Sequence, residues 1–219
     1  MSQLIFKFPF KTRYYEHDYF VSSNNFSAYR LIESWPKWPG EWVNIYGPKG
    51  CGKTHLTNIL KKKIDLIKIL DAKKIDNEII STFKKIDCLI IENYDQNIVE
   101  EVFFSTLNHF KQLNTCVVIN SHYPIKNVEF MLKDLKSRAK NFISIGIELP
   151  TDELLRVIIS KYFSDKQIYL TPRVVEYIIK NIERSYEKVF KFIKEIDVLS
   201  LSSGKSININ LIKKLLNNE

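Results

Sequence analysis

Eight consecutive residues constrain this chain more than any others: Gly47, Pro48, Lys49, Gly50, Cys51, Gly52, Lys53 and Thr54 satisfy the pattern G-x-x-x-x-G-K-[ST]. The pattern carries its chemistry only between a strand and a helix, and both flanks comply. Residues 42–46, WVNIY, read as a buried strand. Residues 53–63 read as a helix with Leu56, Ile59, Leu60 and Ile64 on one face. Glycines let the backbone turn so that its N–H groups converge on phosphate oxygens. The helix N-terminus adds partial positive charge. Lys53 can reach terminal phosphates, and the Thr54 hydroxyl can ligate Mg²⁺. The chain has six glycines in all and three fall in this loop, which weighs against a chance turn.

The pattern of strand, loop and helix then repeats. Further strands are expected at residues 66–70, 88–91 (CLII), 116–119 (CVVI) and within 142–149. Helices are expected at 73–84 and 98–113. Apolar strands alternating with helices imply a parallel sheet covered on both faces. After Pro150 the strands stop, and residues 152–164, 172–181, 186–201 and 208–216 read as amphipathic helices. Thr151 and Thr171 are the expected N-caps, the second with Pro172 in the first turn. The expected organisation is a tail at 1–10, an α/β base at 11–150 and an all-helical lid at 151–219.

No run approaches the roughly 18 to 20 apolar residues that span a bilayer. The N-terminus is too charged for a signal peptide. The cysteines, Cys51, Cys88 and Cys116, are three in number and form no CxxC pair. They read as reduced, mostly buried thiols, so no membrane role and a cytoplasmic location are expected. His17, His55, His109 and His122 show no metal-ligand spacing and read as structural. The net charge of +8 admits an acidic partner. There is no Arg-rich stripe, however, and AT-rich codon usage explains a Lys-rich chain equally well.

A phosphate loop needs a second carboxylate for Mg²⁺ and a base that orients water. The strand CLII is followed by Glu92 and Asn93. Glu92 can hold the metal, directly or through water. Asn93 cannot act as a base, because an amide has no useful proton affinity, and Asp95 is out of phase. Intrinsic hydrolysis is therefore expected to be slow or absent.

The phosphate-loop base, the apolar strand ending in an acidic residue plus Asn, and the helical lid together resemble the AAA+ ATPases. Within them the chain resembles the DnaA-related group and its Hda branch over nearly its whole length. The terminal residues Gln3, Leu4, Phe6 and Phe8 are similar to the Gln-Leu-x-Leu-x-Leu/Phe peptide of that branch, which docks on the replicative sliding clamp; Phe6 stands where Leu is usual. Physically this is an extended peptide with one polar anchor and alternating apolar plugs; a sheet edge or core tail is the other reading. WPKWPG at 35–40 resembles a segment of alphaproteobacterial members, and FVSSNN at 20–25 resembles the border of the adenine pocket. DLKSRAKNF at 134–142 resembles the arginine-finger segment, which puts that role on Arg138, contacting the γ-phosphate of a neighbour's ATP. IERSYEKVFKFI at 182–193 resembles the lid segment whose arginine senses nucleotide in cis, here Arg184. The strand-four sensor falls on Asn120 or Ser121, with Asn120 preferred. His55, beside Thr54, joins the nucleotide-binding set. The chain departs from the family at Glu92, where Asp is usual.

The resemblance implies an adaptor tethered to the DNA polymerase III sliding clamp, using Arg138 to promote ATP hydrolysis by the initiator DnaA. Its own nucleotide, ADP or ATP with Mg²⁺, would order base and lid. The initiator's DNA-reading domain is not expected here, so nucleic acid is met only through the clamp. AAA+ faces often self-associate, which leaves room for a homodimer that hides Arg138 or the tail. The alternatives are a helicase loader or DNA-remodelling ATPase, and a nucleotide-gated scaffold without catalytic part.

Overall fold

The computed structural model describes residues 16–83, 85–95 and 98–217. The expected clamp-binding residues Gln3, Leu4, Phe6 and Phe8 lie outside the described residues. The described chain forms two compact units, one reaching to Glu148 and the other starting at Leu149.

The first unit is built on β1 (Trp42–Tyr46), β2 (Ile67–Asp71), β3 (Cys88–Tyr94), β4 (Cys116–Ser121) and β5 (Ile143–Gly146). They form one five-stranded sheet in the order β2-β3-β4-β1-β5, parallel throughout. Helices connect and cover it: α1 (Phe26–Glu33), α2 (Lys53–Lys61), α3 (Asn77–Ser81), α4 (Glu100–Gln112) and α5 (Lys133–Ala139). Because side chains alternate along a strand, Leu89, Ile91, Val117 and Ile119 face one side. There they meet Phe103, Leu107 and Phe110 of α4 and Leu135 of α5. The intervening Val43, Ile45, Ile90 and Val118 are buried as completely. Both faces are covered, which explains why these strands read as unbroken apolar runs. Cys88 and Cys116 are paired across β3 and β4, and Cys51, Cys88 and Cys116 are all free and buried.

The periodicity at 73–84 does not yield one helix. Asp71 accepts a hydrogen bond from the Lys73 N–H and starts a single 3₁₀ turn. Ile75 is then extended, and Asp76 caps a new helix, α3, by accepting from the Ile79 N–H at 2.7 Å. Asp71 and Asp76 thus each cap an element of their own, and the segment divides between them. The 53–63 helix is shorter than expected, ending at Lys61, and β3 is longer than CLII, running on to Tyr94. Helix α1 has no counterpart in the periodicity reading.

Asn44 is the polar pin of this core. It is fully buried in β1. Its amide donates to the Ile119 carbonyl at 3.0 Å and to Ser121 Oγ at 2.8 Å, and its oxygen accepts from the Ile125 N–H at 2.9 Å. β1, β4 and the turn after β4 are held by this one side chain.

The second unit contains α6 (Asp152–Ser164), α7 (Pro172–Asn181), α8 (Tyr186–Ser203) and α9 (Ile209–Leu216). Its core is Leu155, Ile159, Phe163, Ile178, Ile193, Ile196 and Ile212. Thr151, Ser185 and Asn208 cap their helices by side-chain hydrogen bonds; Thr171 does not, and α7 relies on Pro172 in its first turn. Asp197 is buried on α8 and its carboxylate is bound by Lys166. No described helix is long and apolar enough to cross a membrane.

Removing the Asn44 amide leaves several buried partners unpaired. Asn44→Ala is expected to lower the unfolding free energy by about 2 to 4 kcal/mol, read as a fall in the denaturant midpoint of the first unit.

Candidate functional site

The loop between β1 and α2 has the backbone its glycines permit. Gly47, Gly50 and Gly52 have φ of 155°, 84° and 100°. A Cβ on Gly47 would lie 2.6 Å from the Ile147 carbonyl oxygen, and one on Gly52 would lie 3.0 Å from the Tyr19 ring. Side chains are thus excluded by both conformation and space. Pro48 is half-buried, Lys49 and Gly50 are exposed, and Cys51 is buried beneath the loop, where burial pushes its thiol pKa up despite the nearby Lys53. Tyr19 packs edge-on against His55 and stacks on Tyr29. His55 therefore helps hold an aromatic cover at the start of α2.

Lys53 folds back over the loop. Its ammonium donates to the carbonyls of Gly47 at 2.7 Å and Pro48 at 3.0 Å. These are bonds that a phosphate oxygen can replace. Thr54 Oγ1 donates to Glu92 Oε2 at 3.0 Å, and Thr57 Oγ1 donates to Glu92 Oε1 at 2.8 Å. Glu92 is 9% exposed. A hydroxyl beside a buried carboxylate is a donor set suited to a hard cation such as Mg²⁺. Among the described residues no group of three or more His, Cys, Asp or Glu side chains converges to hold a metal.

On β4, Asn120 is 1% exposed. Its amide nitrogen lies 3.5 Å from Thr57 Oγ1, and its carbonyl oxygen is buried without a partner. Ser121, the other sensor candidate, is engaged: its hydroxyl donates to the Tyr123 carbonyl at 2.6 Å and accepts from Asn44. Of the two, Asn120 keeps unused polar capacity, beside Thr57.

Asn93 explains itself by conformation. It sits at φ 58°, in the left-handed region that asparagine tolerates, and β3 carries an irregularity there. Its amide donates to Asp71 Oδ2 at 2.7 Å and points away from the loop toward β2. This bond and one from the Lys73 N–H hold the Asp71 carboxyl below its ordinary value of 3.8.

The two arginines singled out in sequence have these surroundings. Arg138, on α5, lays its guanidinium over the Phe104 ring at 4.8 Å and is half-buried; its Nη1 has no hydrogen-bond partner among the described residues. Arg184, in the helical unit, pairs with Asp152 at 3.2 Å. The 20–25 segment folds into tight side-chain turns: Asn25 bonds the Phe20 carbonyl and Asn24 the Glu148 carbonyl. Periodicity missed Thr57 and Asn44. The signal was there in both: a hydroxyl on an otherwise apolar helix face, and an amide inside an apolar strand.

The fold is AAA+-like and carries a phosphate-loop sequence. In particular, the chain is similar in sequence to the replication initiator DnaA. It is 27% identical to the Buchnera aphidicola subsp. Cinara cedri protein over 232 residues, covering 94% of this chain and 53% of that one. It is 24% identical to the Lachnoclostridium phytofermentans protein, covering 93% and 51%. The chain thus spans about half the length of these curated relatives. It matches no protein-family model. Domain III of Thermotoga maritima DnaA superposes with a TM-score of 0.78 at 22% identity, covering 96% of this chain and 98% of that one. The replication initiator DnaA bound to AMPPCP and single-stranded DNA superposes with 0.69 at 22%, covering 87% and 66%. Thermotoga maritima RuvB gives 0.65 at 18%, covering 89% and 67%. The fold is that of the DnaA AAA+ domain.

The Asn93 bond stabilises charged Asp71. Its contribution is full above the unfolded carboxyl's pKa and is lost as pH falls through the lower folded value. Asn93→Gly keeps the left-handed backbone and removes the amide. It is expected to return the Asp71 carboxyl toward 3.8, as followed by NMR titration.

Proposed function

We propose that this protein is a nucleotide-binding AAA+ regulator of DnaA that is tethered to the sliding clamp and stimulates the initiator's ATP hydrolysis. The observation that carries the reading is the pairing of a fully formed phosphate loop with a strand end that lacks a base. Lys53, Thr54 and Glu92 are assembled for an adenine nucleotide and Mg²⁺, while Asn93 is an amide turned toward Asp71. Such a site holds a nucleotide well and hydrolyses it poorly. Sequence similarity to DnaA supports a partner of the same fold.

In this reading the loop binds ADP or ATP, with Mg²⁺ held by Thr54 and Glu92 and with Asn120 beside them. Bound Mg²⁺ would neutralise phosphate charge. Arg184 reports nucleotide state to the helical unit, residues 151–219. Arg138 supplies the charge that DnaA's own site needs. To do so it leaves Phe104, exchanging a cation–π contact worth about 0.5 to 2 kcal/mol for a bidentate phosphate contact. Gln3, Leu4, Phe6 and Phe8 engage the clamp, which raises local concentration near DNA without new contacts to the initiator. The setting is cytoplasmic, and self-association through the same faces would be inhibitory.

The test is DnaA ATPase activity in the presence of DNA-loaded clamp. Wild type should stimulate it. Arg138→Ala should lose stimulation on the order of 10³-fold yet still bind the clamp. Gln3→Ala/Leu4→Ala should lose clamp binding and stimulation together. Stimulation that survives Arg138→Ala would instead favour a scaffold, and DNA-stimulated ATPase of the protein alone would favour a helicase loader.

A further inference from the structure

Thr57 sits one helical turn beyond Thr54 on the face of α2 that otherwise buries Leu56, Ile59 and Leu60. It is fully buried. A hydroxyl there costs free energy unless it is partnered. Threonines inside helices usually settle this by bonding the carbonyl one turn back. The distances here point elsewhere: Thr57 Oγ1 is 2.8 Å from Glu92 Oε1, against 3.1 Å and 3.4 Å to the carbonyls of Thr54 and Lys53. A hydroxyl has one proton to donate, and a carboxylate is the stronger acceptor.

The length of Glu92 fits this arrangement. Side chains three apart on a helix stand about 5 to 6 Å from each other at Cβ. Glu92 spans Thr54 with one oxygen and Thr57 with the other. An aspartate, one methylene shorter, would have less reach for both. Asn120 lies behind the pair, its amide toward the Thr57 oxygen and its own carbonyl oxygen unpaired.

We propose that Thr57 is a positioning residue for metal-bound nucleotide: its hydroxyl anchors one oxygen of Glu92, so that the other stays beside Thr54 to receive Mg²⁺. The proposal rests on the nucleotide-binding reading above and assigns Thr57 a part in the metal's share of the affinity alone. The phosphate grip of the loop and Lys53 does not involve Thr57.

The experiment measures ADP affinity of the full chain by calorimetry, once with Mg²⁺ and once with EDTA. Wild type should bind more tightly with Mg²⁺. In Thr57→Val that gain should shrink by about tenfold, the worth of one hydrogen bond to a charged group, while affinity in EDTA is unchanged. Thr57→Ser should restore the gain, and in a Glu92→Gln background Thr57→Val should have no further effect. Thr57→Ala serves should Thr57→Val fail to fold, with melting temperature as the check. A full Mg²⁺ gain in the hydroxyl-less variants, or no Mg²⁺ gain in wild type, overturns the proposal and leaves nucleotide binding standing. No ADP binding by wild type in either condition overturns the nucleotide reading itself.

Discussion

Two hydroxyls on the loop helix close on one buried carboxylate from the sheet. That contact gives the phosphate loop a fixed relation to β3, because Thr54, Thr57 and Glu92 come from elements distant in sequence. Burial makes the arrangement stringent. A carboxylate at this depth is costly without donors, and in the low local dielectric each donor counts for more than it would in water. The loop glycines, the sheet order and the aromatic cover of Tyr19 position the two ends of this bond. Lys53, whose ammonium bonds the Gly47 and Pro48 carbonyls and the Cys51 sulfur of the loop, is the movable part of an otherwise fixed cluster.

The central strands β3 and β4 were legible in sequence because CLII and CVVI are unbroken apolar runs, as expected where both faces of a parallel sheet are covered. Trp42–Tyr46 and Pro172–Asn181 also coincide with their expected bounds, the second with a proline at the start of α7. Elements governed by local polar competition were not legible. The 73–84 pattern has helical period, yet Asp71 and Asp76 each prefer to cap a backbone N–H, and the helix divides. Helix α1 is eight residues long and buries Ala28 and Ile32 one turn apart, too few turns for a period to stand out.

The site was legible in its glycines, lysine and acid, which must occur at set spacings to do their chemistry. It was illegible where a residue's partner is remote in sequence. Nothing near Asn44 says that it will meet the Ile125 N–H, and nothing near Thr57 says that it will meet Glu92. The choice between Asn120 and Ser121 is of the same kind: both are polar and adjacent, and only the prior engagement of Ser121 by Asn44 and Tyr123 separates them. Arg138 was reached through family likeness and not through spacing. The segment reads as one that offers an arginine outward, while the side chain rests on an aromatic ring of its neighbouring helix.

The irregularity at Asn93 sets the parity of everything beyond it on β3. Ile91 stands opposite Ile119 and Tyr94 opposite Ser121, so three steps on one strand match two on the other. Ile91 and Tyr94 therefore share a face although they stand three positions apart, and the Tyr94 ring comes to lie 5.0 Å from that of Phe103. Deleting Asn93 would make two steps match two and leave the ring on the same face, at the cost of the amide's bond to Asp71. The strand end thus carries one residue more than its pairing needs, and that residue makes the cross-strand bond to β2.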